Sequence, residues 1–376
     1  MIAALVLLAL VAGSLVYCVL TAIAAVLYKR VRPPAVREWP PISVLKPLHG
    51  VDEGLEENLV SFFEQEYPRF EMLFAVSDAS DAAAAVVEKL QARYPNASSR
   101  LLVTGEPPYP NAKVYSLARM LECARHDLIV MADSDVRVGR DLLATMAAEF
   151  QDEKLGISTC PYRAVPGGSF WSALEAVGLN TEFLGGVLVA RMLDGMKFAI
   201  GPTIGARRAA LGAIGGFDAL KDHNAEDFMM GKLAAERGYG VILSSYIVEH
   251  RIGSQGFAAN MGHRLRWRRS TRRSRPWGYL GEIFTNPLPL ALALLVVRPE
   301  WWPIAVAAVA FRALAVWATA KYVLRDPLTR RLWALGPLQD LIGFPIWVGG
   351  FFGNTIQWRG RKYRLLRDGR CKLIER

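Results

Sequence analysis

"DLIVMADSD", residues 127–135, places an apolar run directly ahead of two aspartates one residue apart. A run this short, bounded by polar residues, reads as a strand buried on both faces. The acids at its end either close a turn or hold a metal ion against a phosphate.

The flanking sequence repeats the same grammar. "PISVLKPL" (41–48), "FEMLFAVSD" (70–78) and "RLLVTG" (100–105) read as further strands. Between them, "GLEENLVSFFEQEY" (54–67), "AAAAVVEKLQARY" (82–94) and "AKVYSLARMLECAR" (112–125) carry apolar residues at helical spacing. Asp81 is placed to cap the second helix. Strand–helix alternation predicts a mostly parallel sheet with right-handed crossovers and a ligand site at the carboxyl ends of the strands. Three polar clusters fall at such ends: Lys46, Ser77–Asp78 and Asp133–Ser134–Asp135. A lone Asp-x-Asp is weak evidence, but three loaded strand ends are stronger.

Composition narrows the partners. The chain has 376 residues, is 52% hydrophobic and carries a formal net charge of +10, which points to an anionic partner. Its four cysteines, Cys18, Cys123, Cys160 and Cys371, are scattered without the spacing of a zinc site or a disulfide scaffold. Ile2 to Tyr28 holds no charged residue and is long enough to cross a bilayer. Lys29, Arg30, Arg32 and Arg37 follow it, so the positive-inside rule puts the chain after residue 28 in the cytoplasm. A cleaved signal peptide fits poorly, because no basic residue precedes the run. Apolar segments return at 283–297, 301–320 and 341–358. The last is interrupted by Pro345, Gly349, Gly350 and Gly353, and either spans or re-enters. Arg312 lies inside the second of these, where a charge is costly unless it faces protein, water or the interface. The expected organisation is an anchor (1–28), a cytoplasmic catalytic domain (29–275), membrane segments (276–358) and a basic tail (359–376).

Two later motifs carry chemistry. Glu226–Asp227 opens a helical pattern, where acids serve as dipole partners or as a general base for an attacking hydroxyl. "HRLRWRRSTRRSR" (263–275) has seven arginines and no acid. It suits anionic lipid headgroups or a leaving diphosphate, and less well nucleic acid, since no other basic face with interleaved aromatics accompanies it. The apolar stretch 169–193, with Glu175 and Glu182, reads either as an in-plane helix at the bilayer or as a core helix.

In order, "KPLHGVD" (46–52), "VSDASD" (76–81), "NAKVYSL" (111–117), "DSDVRV" (133–138), "AEDFMMGKLAAERGYG" (225–240), "HRLRW" (263–267) and "WRGRKYRL" (358–365) resemble the ceramide glucosyltransferase family, including its bacterial hopanoid-biosynthesis relatives. The likeness spans nearly the whole chain. It implies a GT-A fold, α/β and Rossmann-like, between an N-terminal transmembrane anchor and C-terminal transmembrane helices. It implies an inverting glycosyltransferase that moves a sugar from a UDP-sugar to a membrane lipid, with Mg²⁺ or Mn²⁺ as cofactor and no nucleic acid. By this resemblance Lys46, Asp78, Lys113 and Asp133 bind the donor, Asp78 meeting the uridine. Asp133 and Asp135 hold the metal, and Asp227 is the base. His263, Arg266 and Trp267 line the site near the diphosphate. His263 departs from the family pattern, which has Gln or Arg there. The expected setting is a bacterial inner membrane with the catalytic domain cytoplasmic. The alternatives are a hopanoid N-acetylglucosaminyltransferase, a polymerising synthase and a non-catalytic membrane adaptor.

Overall fold

The computed structural model describes residues 1–358 and 361–375; Arg359, Gly360 and Arg376 of the expected basic tail lie outside the described residues. The chain opens with helix α1 (Ile2–Lys29), and the first half of the α/β region follows the sequence pattern closely. The elements are β1 (Ile42–Pro47), α2 (Leu55–Phe63), β2 (Phe70–Val76), α3 (Ala82–Arg93), β3 (Ser99–Val103), α4 (Ala112–Cys123) and β4 (Leu128–Ala132). Asp81 caps α3 as expected, its carboxylate accepting from Ala83 N at 2.9 Å.

The second half is less regular. It runs β5 (Val136–Arg137), α5 (Leu142–Glu149), β6 (Leu155–Thr159), β7 (Tyr162–Pro166), α6 (Phe170–Gly178), α7 (Leu184–Asp194) and β8 (Thr203–Arg207). Then come α8 (Arg208–Ala213), α9 (Glu226–Glu236), β9 (Gly240–Leu243), β10 (Val248–Ile252) and α10 (Phe257–Ser274). Among the described residues, seven strands form one sheet in the order β3-β2-β1-β4-β8-β6-β9. β1, β2, β3 and β4 are mutually parallel, while β8 runs antiparallel to β4 and β6. A second sheet, β5-β10-β7, stands beyond the carboxyl end of β4. Apolar clusters cover both faces of the large sheet, which is why its strands read as continuous apolar runs.

The C-terminal helical part comprises α11 (Pro276–Gly281), α12 (Pro287–Val297), α13 (Trp302–Val316), the short α14 (Pro327–Arg331) and α15 (Leu335–Gly350). Among the described residues three helical stretches, 2–29, 170–194 and 299–323, are long and apolar enough to cross a membrane. The bent pair 276–285 and 287–297, kinked by 62°, makes a fourth if counted as one span. The stretch 170–194 is mostly enclosed by protein and turns through one π-helical segment at 179–183, so it is a core helix that α1 packs against.

The segment 341–358 is not one continuous helix. α15 has 16 residues, about 24 Å at 1.5 Å each, short of the roughly 30 Å of a hydrocarbon core. The chain then forms β11 (Thr355–Trp358), β12 (Arg361–Leu365) and β13 (Cys371–Glu375), an antiparallel sheet. This sheet rests on the α/β domain. Cys371 N donates to Asp222 O at 2.6 Å, Arg370 bridges His223, and Arg361 pairs with Glu106 at 3.4 Å. The tail is therefore packed on the α/β domain.

Candidate active site

The parallel topology brings the ends of β1, β2 and β4 to one edge. Lys46, the penultimate residue of β1, is fully buried with its Nζ 3.9 Å from the Phe62 ring centre. It donates to the Asp133 carbonyl at 2.7 Å and so ties β1 to the loop after β4. Burial pulls its ammonium down to about 7, against the pull of Asp133 and Asp135.

Asp133 faces a cleft lined by Lys113, Gly201, Glu226, Asp227 and Met230. Lys113 enters it from the first turn of α4, whose start is fixed by the Asn111 cap on Val114 N. Its Nζ lies 2.6 Å from Asp133 Oδ1 and 3.0 Å from Glu226 Oε1. Burial works against that charge, but Asp133 and Glu226 outweigh it and hold Lys113 above its ordinary range. Asn111 also donates to Glu226 at 3.3 Å. The Glu226–Asp227 pair is thereby divided: Glu226 is committed to Lys113 and Asn111, and Asp227 faces the cleft. Burial first, then the Glu226 carboxylate, push Asp227 up to about 7, with Lys113 opposing.

Asp135 points toward the second sheet, where its Oδ2 meets His250 Nε2 at 3.1 Å. The two aspartates diverge electrostatically. Burial raises Asp133 despite Lys113; in Asp135, burial is outweighed by His250 and the lysines, and its carboxyl is lowered. Asp135 Oδ1 and His250 Nδ1 are both buried without a hydrogen-bond partner. Carboxylate oxygens and an imidazole are fitting donors for a divalent cation. Among the described residues no group of three His, Cys, Asp or Glu side chains is placed to hold an ion.

The other expected residues lie further out. Asp78 is exposed past the end of β2, two strands from Asp133, and its carboxylate accepts from Ser80 N and Oγ at 2.7 Å. His263 on α10 is held by Glu175, Nδ1 to Oε1 at 2.9 Å. Trp267 packs on His263 and Phe183, with centroids at 5.1 and 6.4 Å, and Arg266 beside it is half-buried. Glu175 lies close enough to Tyr162 and His250 to act on both electrostatically, which joins this cluster to Asp135. The arginine run chiefly staples the protein together. Arg264 meets Gln339 at 2.9 Å, Arg268 meets Glu182 and Glu282, and Arg269 and Arg272 donate to carbonyls at 351–355.

His250 went unread in the sequence, while Glu175 was read only as a charge within the 169–193 stretch and Asn111 only as part of a motif. His250 left one trace: in "VEHRI" it shares the inward face with Val248 and Ile252, a position where an aliphatic is the default.

The family model for glycosyl transferase family 21 matches residues 4–371. The chain belongs to glycosyltransferase family 21. Ceramide glucosyltransferase 3 of Caenorhabditis elegans is 26% identical over 340 residues, covering 88% of this chain and 74% of that protein. The ceramide glucosyltransferase of Pyricularia oryzae is 22% identical, covering 91% and 88%. Among solved structures, mannosyltransferase PcManGT from Pyrobaculum calidifontis, in complex with GDP-Man and Mn²⁺, superposes with a TM-score of 0.58 at 19% identity, covering 93% of this chain and 99% of that one. That likeness shows the fold. This family-21 chain is a glycosyltransferase of the ceramide glucosyltransferase type, with apolar helices at both ends of a GT-A-like domain.

Proposed function

We propose that this family-21 enzyme transfers a hexose from a UDP-sugar to the hydroxyl of a membrane lipid, with inversion at the anomeric carbon. The observation that carries the reading is the shared cleft of Asp133 and Asp227, with Lys113 between Asp133 and Glu226. It is supported by the ceramide glucosyltransferase relatives and by the nucleotide sugar and Mn²⁺ in the PcManGT complex.

The chain's residues divide the work. Asp227, poised near neutrality, takes the proton from the acceptor hydroxyl. That oxygen bonds to the anomeric carbon from the face opposite the diphosphate. The bond from that carbon to the diphosphate oxygen breaks, and its electron pair leaves with UDP. Lys113 keeps a fixed positive charge at the end of the cleft where negative charge develops. Asp78, two strands away past the end of β2, would take the nucleoside end of the donor. A divalent cation at the strand-end aspartates would neutralise the diphosphate charge. Helices α1, α12 and α13 hold the cleft at a bilayer, so the acceptor reacts without leaving the lipid. The proposed setting is a bacterial inner membrane, with the domain in the cytoplasm as the basic residues after α1 imply.

The test is a membrane-lipid extract incubated with purified protein, Mn²⁺ and radiolabelled UDP-glucose or UDP-N-acetylglucosamine. One labelled lipid of single-sugar size is expected. No transfer from either donor sinks the reading, and a ladder of products would instead indicate a polymerising synthase.

A further inference from the structure

A groove of about 610 Å³ opens between the start of α6, strand β7 and the short helix α14. That volume falls within the roughly 300–1,000 Å³ of small-molecule sites. Its wall is mainly apolar, carried by Val165, Phe170, Ala173, Leu328, Leu332 and Leu335. The groove is separate from the catalytic cleft, because side chains alternate across a strand. His250 on β10 and Tyr162 on β7 face inward and meet edge to face at 5.2 Å. Tyr162 on that face is close enough to Asp227 to feel its charge. Glu249 and Arg163 face outward, pair at 2.5 Å and line the groove. Asn180 closes the free edge of β7 by bonding both backbone groups of Ala164, at 2.7 and 3.0 Å. The small sheet therefore stands between an occupant of the groove and Asp227.

The charges around the groove are unbalanced. Arg163 is matched by Glu249. Asp326 is buried and spent on the cap of α14 and on Asn180. Arg331 on the rim is exposed and, among the described residues, has no acid at ion-pair distance. The same holds for Arg325 and Arg330 beside it, and for Lys29 at the end of α1, on which Arg325 and Arg32 act as like charges. This cluster gathers where two apolar stretches end, 2–29 and 299–323. Basic residues massed at the end of membrane helices read as a contact for anionic lipid headgroups. Trp333, 74% exposed beside the groove, has the amphipathic ring suited to a bilayer interface.

We propose that the groove seats one anionic phospholipid of the host bilayer, with an acyl chain along the apolar wall and the phosphate at Arg331. It is a resident lipid and not the acceptor. The inference rests on the reading that the apolar helices hold the protein at a bilayer, and is independent of the transfer reaction. An arginine at a phosphate makes a charge-assisted, two-pronged hydrogen bond, which supplies the rim with the anion it lacks.

The test places the full-length protein in nanodiscs of phosphatidylcholine that carry a trace of phosphatidylglycerol with a diazirine in its acyl chain. Irradiation fixes the lipid, and peptide mass spectrometry locates it. Adducts in 163–173 and 327–335 are expected to exceed those on the exposed faces of α1 and α13. Arg331→Gln should lower them about fivefold, and Leu332→Trp, which fills the groove, should abolish them. A matched phosphatidylcholine probe should label the groove less. If Leu332→Trp does not fold, as judged by its melting temperature, Arg331→Gln decides alone. Even labelling along all apolar helices, equal labelling by the two probes, or unchanged labelling in Arg331→Gln overturns the inference. So does displacement of the probe by the lipid that accepts sugar, which would make the groove an acceptor site. Labelling needs no turnover, so groove adducts in a protein that transfers no sugar would sink the transfer reading and leave this one standing. A protein that does not enter nanodiscs overturns the bilayer reading and this inference with it.

Discussion

Asp227 and Gly201 share a space that admits only one side chain, because a Cβ built on Gly201 comes within 3.0 Å of Asp227 Oδ2. Gly201 φ lies outside the left-handed region, so the backbone itself tolerates alanine. The cost falls on the carboxylate, which must move by a few tenths of an ångström. A displacement of about 1 Å in a reacting group costs on the order of 10²-fold in rate. Gly201→Ala is therefore expected to lower kcat by about tenfold while UDP affinity and the melting temperature stay near wild type. A wild-type kcat in Gly201→Ala, at intact folding, removes the close fit from the mechanism.

The raised pKa of Asp227 gives activity and stability opposite pH trends. As a base the carboxylate must be ionised, so turnover falls as pH drops below about 7, by up to tenfold per unit. For stability the sign is reversed. A carboxyl whose pKa is higher in the folded than in the unfolded chain favours folding at low pH. That contribution fades as pH rises from the unfolded value through about 7. The groups facing it are Glu226, Lys113 and Asp133. Asp227→Asn is thus expected to abolish turnover, keep UDP binding and melt higher than wild type at pH 8, with the gap closing toward pH 5. A flat rate profile between pH 5.5 and 8 counts against Asp227 as the base.

How much of this was legible in the chain depends on how far apart the partners are. β1 to β4 and their helices were readable because each is a short buried run between turn residues, a local property. The division of labour between Glu226 and Asp227 was not, since it is set by Lys113 and Asn111, more than a hundred positions earlier. The arginine run read as an anion-binding face because its sequence shows only charge. In the fold Arg268 faces Glu182 and Glu282, and Arg272 faces the carbonyls of Phe351 and Gly353, partners that other segments of the chain bring to it only on folding. His250 was hidden for the opposite reason: one histidine in a strand is unremarkable until Asp135 is placed beside it.

Arg312 looked expensive inside an apolar helix, and its partner is Asp340 on α15. The guanidinium grips both carboxylate oxygens, at 2.7 and 2.6 Å, with the aspartate wholly buried. Removing one member of such a pair leaves an uncompensated charge and costs about 3–5 kcal/mol, whereas replacing both by apolar residues is often close to neutral. Arg312→Leu is expected to lower the melting temperature of the detergent-purified protein sharply. The double variant Arg312→Leu/Asp340→Leu should recover most of that loss. Strict additivity of the two single losses would show that the pair is not coupled.

The tail contacts decide a question of sidedness. Cys371 N bonds to Asp222 O, Arg370 bridges His223, and Tyr363 Oη donates to the Pro110 carbonyl at 3.5 Å. These are the loops that lead into Lys113 and into Glu226–Asp227. A tail on the far side of a bilayer could not reach them, so these contacts predict that the tail and the α/β domain share one face of the membrane. An epitope inserted at the exposed turn around Asn96 and another appended after Arg376 are expected to be reached by protease from the same side of sealed vesicles. Protection of one with exposure of the other would refute the shared side. Because Asp222 lies four residues before Glu226, the same contacts brace the first turn of α9. Deleting the chain from residue 361 onward is expected to lower kcat by about tenfold or more while membrane insertion, read by carbonate extraction, is retained.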